Sequence, residues 1–242
     1  MITYNKYLFT SWHEGIRVDQ KGDTGLGNLL FFIAGTIGIA KKNGYDYSFP
    51  RFCATDYLVN PLSLYDDSLT EEITIPWGFN SFDFPDNKIY TGQLQSERYF
   101  EHCKDLIYHY FTLRPIVEPL KDTIVMHYRN YQHPYFHNLK LAYYLKALKH
   151  LPDRPVVVIT DNLEAAYKEL GSRFEYVSST PIEDFYLGCN ADYVVMANSS
   201  FSWWWAWFCK MRGGTAVAPW RWFTDECKQE TKDIYCKEWI KV

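Results

Sequence analysis

No two of the six cysteines stand in a Cys-x-x-Cys pair. Cys53, Cys103, Cys189, Cys209, Cys227 and Cys236 are far apart, and Cys189 and Cys209 lie inside apolar segments. That spacing argues against a disulfide framework or a zinc site, and for buried thiols in a reducing compartment. No stretch approaches the ~18 apolar residues of a membrane span, and the amino terminus lacks a charged segment followed by a long apolar one. The expectation is a cytoplasmic chain with no membrane span. No basic run exceeds two residues and the net charge is −4, which argues against nucleic acid as the main partner. There is no Asp-x-Asp triplet. Asp66-Asp67 and Asp83/Asp86 lie in irregular segments without matching ligands, so no metal is expected.

Aromatic residues are plentiful, with 9 Trp, 20 Tyr and 16 Phe among 242 residues. Such rings suit sugars and protein cores alike. The densest cluster is Asn198-Ser199-Ser200-Phe201-Ser202-Trp203-Trp204-Trp205-Ala206-Trp207, directly after the apolar run Tyr193–Ala197. Small hydroxyl and amide residues therefore stand where a buried strand hands over to a helix. There they cap the helix, and the N–H groups of its first turn favour an anion. The tryptophans that follow are mainly core.

The order of elements points to an α/β fold. Lys21–Asn28 reads as a glycine-rich turn, Leu29–Lys42 as an apolar helix and Tyr45–Phe49 as a strand. The stretch 51–95 is irregular apart from a strand at Glu72–Ile75, and Glu97–Phe111 looks helical. Pro115 and Pro119 mark a linker between an N-terminal part, 1–115, and a C-terminal part, 116–242. Beyond it, strands at Thr123–Met126, Val156–Thr160, Tyr193–Ala197 and Thr215–Ala218 alternate with helices at Leu139–His150, Asn162–Leu170, Ile182–Cys189 and the Trp run. That is the signature of a doubly wound parallel sheet, clearest in the C-terminal half.

Three strand ends carry polar residues, His127-Tyr128-Arg129-Asn130, Thr160-Asp161-Asn162 and Asn198-Ser199-Ser200. In a parallel sheet such ends share one edge, where ligands collect. One fixed cation, hydrogen-bonding groups and a helix amino terminus together suit a nucleotide diphosphate. Arg129 leads the candidates, because a guanidinium grips two phosphate oxygens and keeps its charge. Asp161, Asn162, Asn198, Ser199 and Ser200 are equally suited to capping the helices they precede. The Gly25-Leu26-Gly27-Asn28 turn lacks the third glycine of a dinucleotide fingerprint and the Lys-Ser/Thr of a phosphate loop, yet allows close backbone approach.

In this order the pieces resemble the alpha-1,2-fucosyltransferase family. Gly25-Leu26-Gly27-Asn28 with its apolar helix is similar to one family motif, and Gly92-Gln93-Leu94-Gln95-Ser96-Glu97-Arg98-Tyr99-Phe100 to a second. His127-Tyr128-Arg129 matches a His-x-Arg motif, and Thr160-Asp161-Asn162 corresponds to a Ser-Asp-Asp segment. Asn198–Trp207 reproduces the most specific motif, with Trp205 in place of a usual glycine.

The resemblance implies a glycosyltransferase-B architecture of two Rossmann-like domains, the C-terminal one holding the donor and the N-terminal one on the acceptor side. It implies an inverting, metal-independent transfer from a nucleotide sugar to a glycan acceptor. Arg129 would neutralise the leaving diphosphate, His127 and Asn162 would face the base, and Ser199, Ser200 and Ser202 would lie near the phosphates. The family's His-x-Arg-Arg-Gly-Asp becomes His127-Tyr128-Arg129-Asn130-Tyr131-Gln132, losing the second arginine and the acid. Asn162 replaces an aspartate suited to guanine. GDP-fucose is the first expectation for the donor, with a UDP-sugar such as xylose or rhamnose as rival. A non-catalytic nucleotide-sugar or carbohydrate binder is the reading from another class. Glu97, Asp19, Asp23 and His133 are the candidates for the acceptor's base.

Overall fold

The structure, a computed structural model, describes residues 1–4, 25–63, 69–81 and 83–242. Asp19, Asp23 and the start of the glycine-rich turn read from Lys21 lie outside the described residues. The chain divides into two compact units, Met1–Arg114 with Lys232–Ile234, and Pro115–Thr231 with Tyr235–Val242.

In the first unit, α1 (Leu26–Asn43) is apolar nearly all round and correspondingly buried. It ends at Gly44, whose φ of 72° is the left-handed conformation that closes a helix, with the Gly44 N–H donating to the Ala40 carbonyl. The helix starts at Leu26, so Gly27 and Asn28 belong to its first turn and not to a preceding glycine-rich turn. Three short parallel strands, β1 (Thr3–Tyr4), β2 (Glu72–Ile75) and β3 (Ile89–Gly92), are ordered β1-β3-β2. Among the described residues Tyr45–Phe49 makes isolated bridges at Tyr47, to Ile2, and at Phe49, and no continuous strand. The helix expected from Glu97 breaks into two one-turn 3-10 segments before α2 (Lys104–Phe111). There the backbone of Tyr99 and Phe100 presses on Gly38 of α1, where an added Cβ would meet the Tyr99 carbonyl oxygen at 2.1 Å.

The second unit is a six-stranded sheet with every neighbouring pair parallel. Its strands are β4 (Ile124–Tyr128), β5 (Val156–Thr160), β6 (Glu175–Val177), β7 (Tyr193–Val195), β8 (Thr215–Ala218) and β9 (Ile240–Lys241). Helices α3 (Leu141–Leu148), α4 (Leu163–Leu170), α5 (Pro181–Cys189) and α6 (Ser200–Met211) connect them. The order β6-β5-β4-β7-β8-β9 runs outward from β4 in both directions, so the winding reverses between β4 and β7. The fold is thus mixed α/β with parallel sheets. Among the described residues the first unit has three strands, so a second full doubly wound sheet is not seen there.

Alternation along β4 sets the two faces. Ile124, Met126 and Tyr128 join a core with Tyr144 and Ala147 of α3 and with Ala166 and Leu170 of α4. His127 turns the other way, its ring 4.9 Å from Trp205 and 5.8 Å from Phe201 of α6. Trp203, Trp204, Trp205 and Trp207 are all but inaccessible, as expected for a helix apolar all round. Trp205 is seated on Gly188 of α5, where an added Cβ would lie 2.0 Å from the indole.

Candidate functional site

The site is built where the sheet reverses. The register pairs Tyr128 with Thr160 and Met126 with Val195, so the ends of β5, β4 and β7 stand side by side. The residues just beyond, Asp161, Arg129 and Asn198–Ser200, therefore share the carboxyl edge. Two neighbouring tyrosines of α3 secure it. Tyr144 Oη donates to the His127 carbonyl at 3.2 Å, and Tyr143 Oη to the Met196 carbonyl at 2.6 Å.

Arg129 forms an ion pair with Asp161 across the strand ends. Its guanidinium also lies over the Tyr131 ring, 5.6 Å from the centroid. Tyr131 stands where the family's His-x-Arg-Arg-Gly-Asp pattern has glycine. The ring stacks on Phe136 at 4.4 Å, and its hydroxyl donates to the Asn198 carbonyl at 2.9 Å. The backbone of Tyr131 is held from both sides by Asn138, Tyr131 N–H to Oδ1 at 2.6 Å and Nδ2 to the Tyr131 carbonyl at 2.9 Å. Burial pushes the Tyr131 phenol up, opposed by the Arg129 charge. The loop after β4 thus carries Arg129 on a fixed base. Nothing in the sequence pattern singled out Tyr131 or Asn138.

His127 is buried, with Nδ1 lacking a hydrogen-bond partner among the described residues. Burial, with the Arg129 charge added, lowers its pKa to about 3, so the ring is neutral near neutral pH. A neutral imidazole offers one donor and one acceptor, suited to an uncharged heterocycle.

The polar head of α6 splits in role. Ser199 is the N-cap, its hydroxyl accepting from Phe201 N–H at 3.3 Å. Ser199 and Ser200 are partly exposed at a helix terminus with no acidic side chain in its first turn, which leaves the dipole available to an anion. Asn198 and Ser202 are fully buried. Asn198 Nδ2 donates to the carbonyls of His137 at 2.9 Å and Trp222 at 2.7 Å, tying two loops to the turn. Ser202 Oγ is engaged with the backbone of Ala197 on both its donor and acceptor sides, at 3.2 Å. Both residues hold the turn in shape, and Asn198 Oδ1 is left without a hydrogen-bond partner among the described residues.

Asn162 caps α4, its Oδ1 accepting from Ala165 N–H at 3.0 Å. His133 is exposed and its Nδ1 accepts from Tyr135 N–H at 3.2 Å. Gly25, Gly27, Asn28 and Glu97 belong to the first unit. There Gly25 is the N-cap of α1, with an ordinary φ of −63°, so nothing in its backbone requires glycine. Asn28 Oδ1 accepts from Gln95 Nε2 at 2.6 Å, joining the two N-terminal motifs. Among the described residues no group of three or more His, Cys, Asp or Glu is arranged to hold a metal. No described helix is long and apolar enough to cross a membrane.

Comparison with known proteins bears on this arrangement. Residues 131–242 match the model of glycosyl transferase family 11. An alpha-1,2-colitosyltransferase of Escherichia coli is 30% identical over 180 residues, 63% of this chain and 62% of that protein. The O-antigen biosynthesis glycosyltransferase WbnK of Escherichia coli is 27% identical over 118 residues, 44% of this chain and 38% of its own. The chain therefore spans less than two thirds of the length of these relatives. In fold it is similar to the crystal structure of fucosyltransferase NodZ from Bradyrhizobium, with a TM-score of 0.50 at 15% identity, over 77% of this chain and 89% of that one. The matched segment holds Tyr131, Asp161, Asn162 and the whole Asn198–Trp207 run. Over residues 131–242 the chain is similar in sequence to glycosyl transferase family 11, and its resemblance to the alpha-1,2-fucosyltransferase family stands.

Proposed function

We propose that the chain is an inverting, metal-independent glycosyltransferase of glycosyltransferase-B type. It moves a sugar from a nucleotide diphosphate onto a hydroxyl of a glycan. The observation that carries this reading is the juxtaposition of Arg129 with the amino terminus of α6 at the carboxyl edge, where the winding reverses. Two positive features meet there, and the leaving diphosphate needs both. Negative charge builds on it as the glycosidic bond to the donor breaks. Arg129 neutralises that charge, and the α6 terminus adds oriented N–H groups in a fixed position. His127 presents a neutral ring beside Arg129 for the base. The acceptor hydroxyl must lose its proton to a base, for which Glu97, His133, Asp19 and Asp23 are the candidates.

GDP-fucose is our first donor. The colitose in a relative's name shows that this sequence family does not imply fucose, so the sugar itself is part of the proposal. The capping bond of Asn162 favours a second reading. Its carbonyl oxygen already accepts from Ala165 N–H, which leaves the NH₂ as its freer group, whereas guanine's ring N–H and amino group call for an acceptor. Uracil presents two carbonyl oxygens to that NH₂, which favours a UDP-sugar such as xylose or rhamnose. Thermal-shift titration with GDP, UDP and their sugars separates the two, since a nucleotide at 100 times its Kd stabilises by about 2.7 kcal/mol. A melting temperature raised by GDP alone supports the fucose donor, and one raised by UDP alone replaces it. No shift with any nucleotide overturns the donor site.

A further inference from the structure

Trp220 is 69% exposed, more than any other large apolar side chain among the described residues. It follows the carboxyl end of β8 directly, on the same edge as Arg129. Its backbone is nonetheless held in place. Its N–H donates to the Val242 carbonyl at 2.8 Å, and Val242 N–H returns a bond to Ala218 at 3.1 Å. Tyr235 Oη donates to its carbonyl at 3.5 Å. The Lys241 ammonium lies 5.7 Å from the Trp220 ring and 5.5 Å from that of Tyr235. An indole on a fixed backbone, with a cation over one face, is therefore presented to solvent.

We propose that Trp220 is a stacking platform for a pyranose ring of the reaction, flanked by Lys241 as a hydrogen-bond donor to ring hydroxyls. A pyranose has one apolar C–H face and a polar rim, which match an indole face and a neighbouring ammonium. A ring on a fixed backbone, with only two side-chain torsions, loses little entropy on binding. Position supplies the second argument, and it rests on the function proposed above. Along the edge the order is Asn162 after β5, Arg129 after β4, Ser199 and Ser200 after β7, then Trp220 after β8. A nucleotide sugar has the same linear order of base, diphosphate and sugar. Three strand spacings from β5 to β8 amount to roughly 15 Å, about the length of such a molecule. With base and diphosphate placed by the first three groups, Trp220 stands on the sugar side.

The test is acrylamide quenching of tryptophan fluorescence, with the contribution of Trp220 taken as the difference between the wild type and Trp220→Ala. Methyl glycosides of glucose, galactose and mannose probe an acceptor ring, and GDP-fucose or UDP-xylose against the bare nucleotide probes a donor ring. Protection of Trp220 in either arm supports the platform and says which ring it holds. Trp220→Ala should weaken that saccharide's binding roughly 2- to 10-fold while leaving the thermal shift by bare GDP or UDP unchanged. Full quenching of Trp220 in every arm overturns the platform. Absence of any nucleotide shift, with saccharide protection present, instead overturns the donor-site reading and leaves the platform standing.

Discussion

On the proposed mechanism, Arg129 carries much of the chemistry while contributing little to the fold. Its ion pair with Asp161 is partly exposed on both sides, 28% and 49%, a setting in which such pairs contribute about 0–1 kcal/mol. Removal of the guanidinium should leave the melting temperature almost unchanged while turnover falls by about two to three orders of magnitude. Steady-state kinetics on purified Arg129→Ala reads this directly, and a near-normal rate removes Arg129 from the mechanism. The pH dependence of stability follows from two other buried groups with opposite signs. His127 has its pKa lowered to about 3 from 6.5, so the unfolded chain takes up the proton first and stability falls as the pH drops from about 6.5 towards 3. Asp184, buried in α5, has its pKa raised to about 6 from 3.8, so its proton is lost first on unfolding and stability falls as the pH rises through that interval. Denaturant titrations between pH 4 and 6.5, values set by those two intervals, should therefore diverge in the variants. His127→Gln flattens the loss of stability on acidification, and Asp184→Asn steepens it. Arg129 was legible in the sequence because a cation after an apolar strand is conspicuous. The role of Asn198 was not, since its amide is taken by carbonyls 61 and 24 residues away.

Among the elements, the pairing of α5 with α6 explains the one residue by which the Trp run departs from the family motif. Trp205 stands where the motif has glycine, and the space for it comes from Gly188 on the facing helix. The Trp205 ring then packs against Phe201 at 5.2 Å and His127 at 4.9 Å, so the substitution reaches the site through its rear wall. A methyl group at 188 would collide with a ring that is itself enclosed. Gly188→Ala should thus cost about 1–3 kcal/mol, and the smaller ring of Trp205→Phe should recover part of that loss in the double variant. Urea unfolding of the four proteins measures the coupling, and strictly additive effects would mean that the helices do not meet at this point. Strands Val156–Thr160 and Thr215–Ala218 were legible because their apolar runs are continuous, as strands covered on both faces require. β3, β6 and β9 were not, being two to four residues long and carrying little pattern of their own. The helix read from Glu97 failed for a related reason, as the approach of Tyr99 to Gly38 outweighs local helical preference over one turn.

For the molecule as a whole, the two units give the donor proposal a spatial test. The alternation of strands and helices in the C-terminal unit was readable in outline because β5 and β7 lead into helices capped by Asn162 and Ser199, and Thr180 with Glu183 even forms a full capping box. The proposed donor groups Arg129, His127, Ser199 and Ser200 all belong to that unit. A nucleotide that binds only its folded state must suppress the openings that expose its amides. At 100 times Kd, exchange through such openings should slow about 100-fold. Hydrogen exchange with saturating GDP or UDP should therefore show protection beginning at the loop around Arg129 and Tyr131, at Asp161–Asn162 and at the first turn of α6. Amides in the middle of β2 and β3 should change least, because they have no proposed contact with the nucleotide. A pattern in which the Asn28 and Gln95 motifs alone become protected would move the donor to the N-terminal unit. That outcome would also leave the α6 terminus without its anion, and Arg129→Ala would then have no effect on nucleotide affinity.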